Sequence, residues 1–168
     1  MDKKQAFRSF SDAVRSGDLK QFASLADSFP NHLKMITPFG TWLHMATSSG
    51  QLAIVKHLLQ LGFDIDIRSG VSDATPLHEA ALKGHLEVVE YLHENGAKFD
   101  TDEPTRNPLF AAILAEHIGL VKYLIASGID KTVRYSGENM KNMDAVAFAR
   151  ERGQTDLIPL LESQPSVE

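Results

Sequence analysis

The stretch Thr75–His85, TPLHEAALKGH, gathers side chains that could do chemistry: His78 and His85 with Glu79 between them and Lys83 close by. Imidazole beside carboxylate is the ordinary material of a general acid–base pair or a metal site. A helical zinc site wants histidines at i and i+4 plus a third ligand, as in H-E-x-x-H. His78 and Glu79 begin that pattern, but the residue four on from His78 is Leu82, so it fails. There is no cysteine, which removes disulfides, thiolate ligands and a cysteine nucleophile. No G-x-S-x-G, P-loop or G-x-G-x-x-G run occurs. The acids around Asp64 and Asp130 lack the spacing of a calcium loop.

Recurrence explains these residues better than chemistry does. Three segments align without internal gaps: TWLHMATSSGQLAIVKHLLQLGFDID from Thr41, TPLHEAALKGHLEVVEYLHENGAKFD from Thr75 and NPLFAAILAEHIGLVKYLIASGIDKT from Asn107. Their offsets are 34 and 32 residues. Weaker copies flank them at DAVRSGDLKQFASL (Asp12–Leu25) and DAVAFARERGQTDLIPLL (Asp144–Leu161). The position of His78 is filled elsewhere by His44, Phe110 and Ala147, and that of His85 by Asp18, Gln51, His117 and Gln154. A residue repeated by geometry along an array is a poor candidate for one active site, so the histidines are expected to be structural. No catalytic residue, metal or cofactor is expected; the remaining enzymatic alternative is a hydrolase that depends on His78.

Each unit predicts two short helices. Thr41, Thr75, Asn107 and Asp144 sit at N-cap positions, and Pro76 and Pro108 follow at N1, where a missing N–H costs nothing. Gly50, Gly84 and Gly153 break the first helix, and a second follows with apolar residues such as Leu86, Val88, Val89 and Leu92. Gly62, Gly96 and Gly128 then stop it as left-handed caps. One such pair cannot bury itself, so the units must stack into a solenoid with a continuous core.

TPLHEAALKGHLEVVEYLHENGA resembles an ankyrin repeat over nearly its whole length. The resemblance implies an all-α fold: stacked antiparallel helix pairs joined by β-turn or hairpin fingers. One domain over residues 1–162 is expected, with units near 3–36, 37–70, 71–102, 103–139 and 140–162, the outer two being atypical caps. Residues 163–168 are expected to form a disordered tail. Departures from the pattern are Trp42 at the proline position, Phe110 at the histidine position and Glu116 in place of glycine. The resemblance further implies that His44 and His78 bond to the threonine at the helix start and to neighbouring backbone, that His85 helps to cap the second helix, and that Asp66 and Asp100 tie the finger backbone.

The net charge is −5, and phosphate-rich or anionic membrane surfaces need dense Lys and Arg. Nucleic acid and membrane are therefore not expected as partners. The N-terminal MDKKQAFRSFSDAV has no apolar run for a secretory signal, and no stretch reaches the length of a membrane span. A cytoplasmic monomer is the expectation.

Family habit puts partner contacts on the concave face, among finger tips and the exposed side of the first helices. Transferred residue by residue, the candidates are Arg15, Ser49, Lys83 and Arg152 on the first helices, Phe39 and Trp42 at one finger, and Arg68 and Arg106 at others. The interval from Glu116 to Gly153 is 37 residues, longer than the period. The surplus predicts a projecting hairpin with Arg134, Tyr135, Met140 and Lys141. So many cations and aromatics in an acidic protein suggest a locally basic groove for an acidic partner. The expected function is a non-catalytic scaffold or adaptor that binds another protein. The alternative is a dedicated inhibitor, such as a bacterial toxin-neutralising immunity protein. That alternative follows from the compact size and a resemblance of the GTWLH unit and the KNMDAVAFA segment to small bacterial ankyrin proteins.

Overall fold

A computed structural model describes residues 1–137 and 140–163. The tail expectation falls on residues 164–168, outside the described part, except for Ser163. The chain forms helix pairs in sequence order: α1 (Lys3–Ser16) with α2 (Leu19–Ser28), α4 (Trp42–Ser48) with α5 (Leu52–Gln60), α6 (Pro76–Leu82) with α7 (Leu86–Glu94), and α8 (Pro108–Leu114) with α9 (Ile118–Ala126). The last pair is α10 (Ala145–Glu151) followed by a 3-10 turn and α11 (Ile158–Glu162). A one-turn helix, α3 (Pro30–Leu33), has no counterpart in the sequence reading. No helix is long and apolar enough to cross a membrane among the described residues.

First helices pack on first helices down the array, α1 on α4, α4 on α6, α6 on α8 and α8 on α10. They come close because their inward positions are alanine: Ala46, Ala80, Ala81, Ala112 and Ala149 are fully buried. The expected caps hold. Thr75 Oγ1 accepts from the His78 N–H, Asn107 Oδ1 from the Leu109 N–H at 2.8 Å, and Asp144 Oδ1 from the Ala147 N–H at 2.9 Å. Each satisfies a backbone donor that the first helical turn leaves orphaned.

After the first unit, where Asp18 Oδ1 accepts from the Gln21 N–H at 2.9 Å, the side chain following each first-helix break does not cap its own helix as expected for His85. It reaches back one unit. His85 Nε2 donates to the Ser48 carbonyl at 3.1 Å, Gln51 Nε2 to Arg15 at 3.3 Å and Gln154 Nε2 to Ile113. These side chains lie across the break of the preceding unit. A Cβ on Gly50 would sit 2.6 Å from His85 Nδ1, and one on Gly84 2.6 Å from the His117 ring. Glycine is needed there twice over, for a left-handed φ (69° and 74°) and for this close approach. Glu116 adopts the same left-handed turn at φ 61° without being glycine.

Of the histidines in the Thr-x-x-His pattern, His44 acts as the resemblance implied. The Thr41 N–H donates to His44 Nδ1 at 3.2 Å, which makes that nitrogen the acceptor. Nε2 therefore carries the proton and donates to the Ala74 carbonyl at 3.0 Å, tying one unit to the next. The Arg106 carbonyl faces the His78 ring, but His78 Nδ1 is buried with no hydrogen-bond partner among the described residues, and Thr75 Oγ1 meets the His78 backbone N–H instead of the ring. Burial holds both imidazoles below their ordinary value, although those carbonyls act in the opposite direction.

An aromatic cluster closes the N-terminal end. Trp42 stacks on Phe10 and Phe7 with centroids 5.1 and 5.9 Å away, and Phe22 meets Phe10 edge-on. The indole N–H donates to the His32 carbonyl at 3.0 Å, so α3 is the lid that holds Trp42 in place.

Candidate functional site

The first helices and the fingers before them enclose a groove with two cavities. One, of about 470 Å³, is lined by Met45 and Ser48 of α4, by Pro38 and Phe39 of one finger, and by Ser69–Ser72 of the next. The other, of about 340 Å³, is lined by Leu82 of α6, by Phe110, Ala111 and Leu114 of α8, by Phe148 of α10, and by Pro104 and Met140 of the fingers. Ser72 and Glu79 line both cavities, so the two meet there.

Helix period explains the apolar lining. Successive units place Met45, Glu79, Ala111 and Phe148 at the same position, one turn after the N-cap, where side chains point along the row of first helices. Three of the four are apolar. Glu79 is the exception, and burial raises its carboxyl above the ordinary range against the pull of Lys83 and the Ser72 hydroxyl. That hydroxyl lies 3.5 Å away, and no ion pair to Glu79 forms among the described residues.

Along the rim, large apolar side chains stand in solvent. Phe39 is 68% exposed and Val71 90%. Val71 and Phe39 belong to adjacent fingers that are joined by the Val71 N–H donating to the Pro38 carbonyl at 3.0 Å. Leu114 is 47% exposed at the second cavity. Single exposed hydrophobics are unremarkable, whereas several along one groove mark a contact surface.

The residues expected to contact a partner divide sharply. Phe39, Arg15, Lys83 and Arg152 are exposed, and Ser49 partly so. Arg15, Phe39 and Ser49 line the first cavity and Arg152 the second, with its guanidinium 5.1 Å over the Phe148 ring. Trp42 is corrected: at 1% exposure it belongs to the core cluster above and offers nothing to a partner. Tyr135 is likewise buried, because its hydroxyl donates to the Thr101 carbonyl at 2.6 Å and accepts from Asn107 Nδ2 at 2.9 Å.

Arg106 is corrected as well. Its side chain is only 14% exposed and bonds Asp100 through Nε at 2.9 Å. Burial alone would raise the Asp100 carboxyl, but the Asp102 N–H and the Arg106 and Arg68 guanidinium groups outweigh it and hold the carboxyl low. Arg68 pairs with Asp73 and Asp100, and Arg134 with Asp144 at 2.6 Å and with the Asn142 carbonyl. Three of the cations behind the expectation of a basic groove, Arg68, Arg106 and Arg134, are thus paired within the chain, whereas Arg15, Lys83, Lys141 and Arg152 are exposed.

The lengthened finger does form a hairpin, β1 (Tyr135–Gly137) against β2 (Met140–Met143), with a bulge in its register. Tyr135 and Arg134 clamp its base to the scaffold, Met140 packs against the core and lines the second cavity, and Lys141 is exposed. Glu138 and Asn139, between the two strands in sequence, lie outside the described residues. Sequence reasoning missed Glu79, Val71 and Leu114 as groove residues. The aligned repeats carried a signal for Glu79, since Met45, Ala111 and Phe148 fill its position elsewhere.

Comparison with known proteins follows the same lines. The family model for ankyrin repeats matches three copies over residues 43–135. Palmitoyltransferase AKR1 of Lachancea kluyveri is 31% identical over 128 residues, 75% of this chain but 17% of the length of that protein. The Notch-regulated ankyrin repeat-containing protein of Xenopus tropicalis is 38% identical over 91 residues, 51% of this chain and 77% of its own length. Its human counterpart is 37% identical over 94 residues, 52% of this chain and 80% of its own. The chain thus spans about one sixth of the palmitoyltransferase and most of the two shorter proteins. Repeats of this kind generally mediate protein–protein interaction and are typically non-catalytic. With the stacked helix pairs, the N-cap pattern and the family match in agreement, the chain belongs to the ankyrin-repeat family.

Proposed function

We propose that this protein is a non-catalytic scaffold that holds a partner protein in the groove between its first helices and fingers, working as a monomer in the cytoplasm. The observation that carries the reading is the groove itself. Two adjoining cavities with a mainly apolar lining run along the first helices, and exposed Phe39 and Val71 stand on one rim. Such a surface fits a protein segment with apolar anchors, which concentrate binding energy in desolvated pockets. The contact set is Phe39, Arg15, Ser49, Lys83 and Arg152 with Glu79, Val71 and Leu114; Met140 and Lys141 border it.

The test is capture from native lysate by the wild type and by a Phe39→Asp/Val71→Asp variant. Both positions are exposed, so circular dichroism should show the fold unchanged. One protein retained at stoichiometric amount by the wild type and lost by the variant supports the groove. Equal retention by both places the interface elsewhere. A captured partner that loses its own activity on binding marks an inhibitor, and one that keeps it marks an adaptor.

A further inference from the structure

Glu79 is the anomaly of the groove. Its equivalents Met45 and Phe148 are apolar and buried, and Ala111 is apolar and buried between them. The carboxylate lies where the two cavities meet, half removed from water. A group in that setting costs desolvation unless an opposite charge or a hydrogen-bond donor compensates it. Within the chain it has only a long contact to the Ser72 hydroxyl. Lys83, the C-cap just past the end of α6, is exposed and makes no ion pair with it among the described residues. The groove's other cations, Arg15 and Arg152, line opposite cavities, while Arg68, Arg106 and Arg134 are spent on Asp73, Asp100 and Asp144.

We infer that the groove selects a partner segment carrying a central Lys or Arg, which pairs with Glu79 while flanking apolar side chains enter the two cavities. This rests on the groove reading above and specifies its ligand. Charge complementarity carries it. A basic side chain supplies the missing counter-charge where the two cavities meet at Glu79, and apolar neighbours match the cavities on either side. The pairing would also give register, because a segment shifted by one side chain would bury an unpaired carboxylate under an apolar group.

A phage-displayed library of random dodecapeptides, panned against the full chain, tests the inference. The expected outcome is enrichment of peptides with a Lys or Arg flanked by apolar residues. By fluorescence anisotropy the best peptide should bind about tenfold more weakly to Glu79→Gln, the order expected for losing one charge-assisted bond. Replacing the peptide's basic residue by norleucine should weaken binding to the wild type equally but leave binding to Glu79→Gln unchanged. Enriched peptides without a basic residue would overturn the inference, as would affinity that Glu79→Gln leaves unaltered. If such peptides are still lost on Leu114→Asp or Phe39→Asp, the groove reading survives and only the charge pairing fails. Peptides indifferent to all of these substitutions would overturn both, and an absence of any enrichment would overturn the inference. Self-association abolished by Glu79→Lys would put a second copy in the groove and refute the partner proposed.

Discussion

Replacing Gly50 by alanine tests how one unit is fastened to the next. Two costs add. The new Cβ meets a left-handed backbone at φ 69°, a strain of about 1–2 kcal/mol, partly offset by about 0.4–1 kcal/mol through a stiffer unfolded chain. The Cβ would also lie 2.6 Å from His85 Nδ1, and the ring cannot retreat without breaking its bond to the Ser48 carbonyl. One or the other follows: a retreating ring loses that bond, at about 1 kcal/mol, and a ring that stays is overpacked, at about 1–3 kcal/mol. The sum for Gly50→Ala is about 2–4 kcal/mol. Gly153 provides the control: its φ is 73°, but nothing lies within 4 Å of its Cβ position. Gly153→Ala should therefore cost only the backbone part, about 1 kcal/mol. Urea unfolding followed by circular dichroism measures both. In a His85→Ala background Gly50→Ala should fall to the cost of the control, giving a coupling of about 1–3 kcal/mol between positions 50 and 85. Equal costs for the two glycines, or an additive double mutant, would refute the interlock.

Trp42→Ala should destabilise by about 3–5 kcal/mol, since it empties the site between Phe7, Phe10 and the His32 carbonyl; Phe39→Ala should change the urea midpoint hardly at all, the reverse of what two exposed anchors would do. Tyr135→Phe should cost about 1–3 kcal/mol by leaving Asn107 and the Thr101 carbonyl without their partner, measured by the same unfolding. Glu116→Gly should raise stability by about 0.5–1 kcal/mol, because relief of the left-handed strain exceeds the entropy lost to glycine. His44 and His78 stay neutral in the fold, while the unfolded chain takes up protons as pH falls below 6.5. The unfolded state then binds more protons, so stability present above pH 6.5 is lost as pH falls toward the depressed folded value. A urea midpoint that drops between pH 7 and 5 in the wild type, but less in His44→Phe, is the expected result; parallel slopes would refute it.

How much was legible depended on whether a feature repeats. The N-caps Thr75, Asn107 and Asp144, the prolines after two of them and the glycine breaks recur at a period near that of one unit, and local backbone chemistry suffices to read them. The stacked helix pairs follow, because no unit buries its own apolar face. The cross-unit hydrogen bonds of His44 were implied by family resemblance, whereas the backward reach of His85 was not, since a polar residue at a helix start reads equally well as a cap. The lengthened last finger was legible as an insertion, but not the burial of Tyr135 within it.

Sequence alone determined the repeat, its helix pairs and their order, because those depend on contacts within a unit and between neighbours alike in every copy. Exposure and charge at the surface were decided only by the tertiary structure. Trp42 and Phe39 are three residues apart, yet one is sealed beneath α3 and the other stands in solvent. Arg68, Arg106 and Arg134 read as a basic surface until the carboxylates of Asp73, Asp100 and Asp144 are found beside them. Both outcomes depend on partners distant from the residue itself, which only the folded chain brings within a few ångströms.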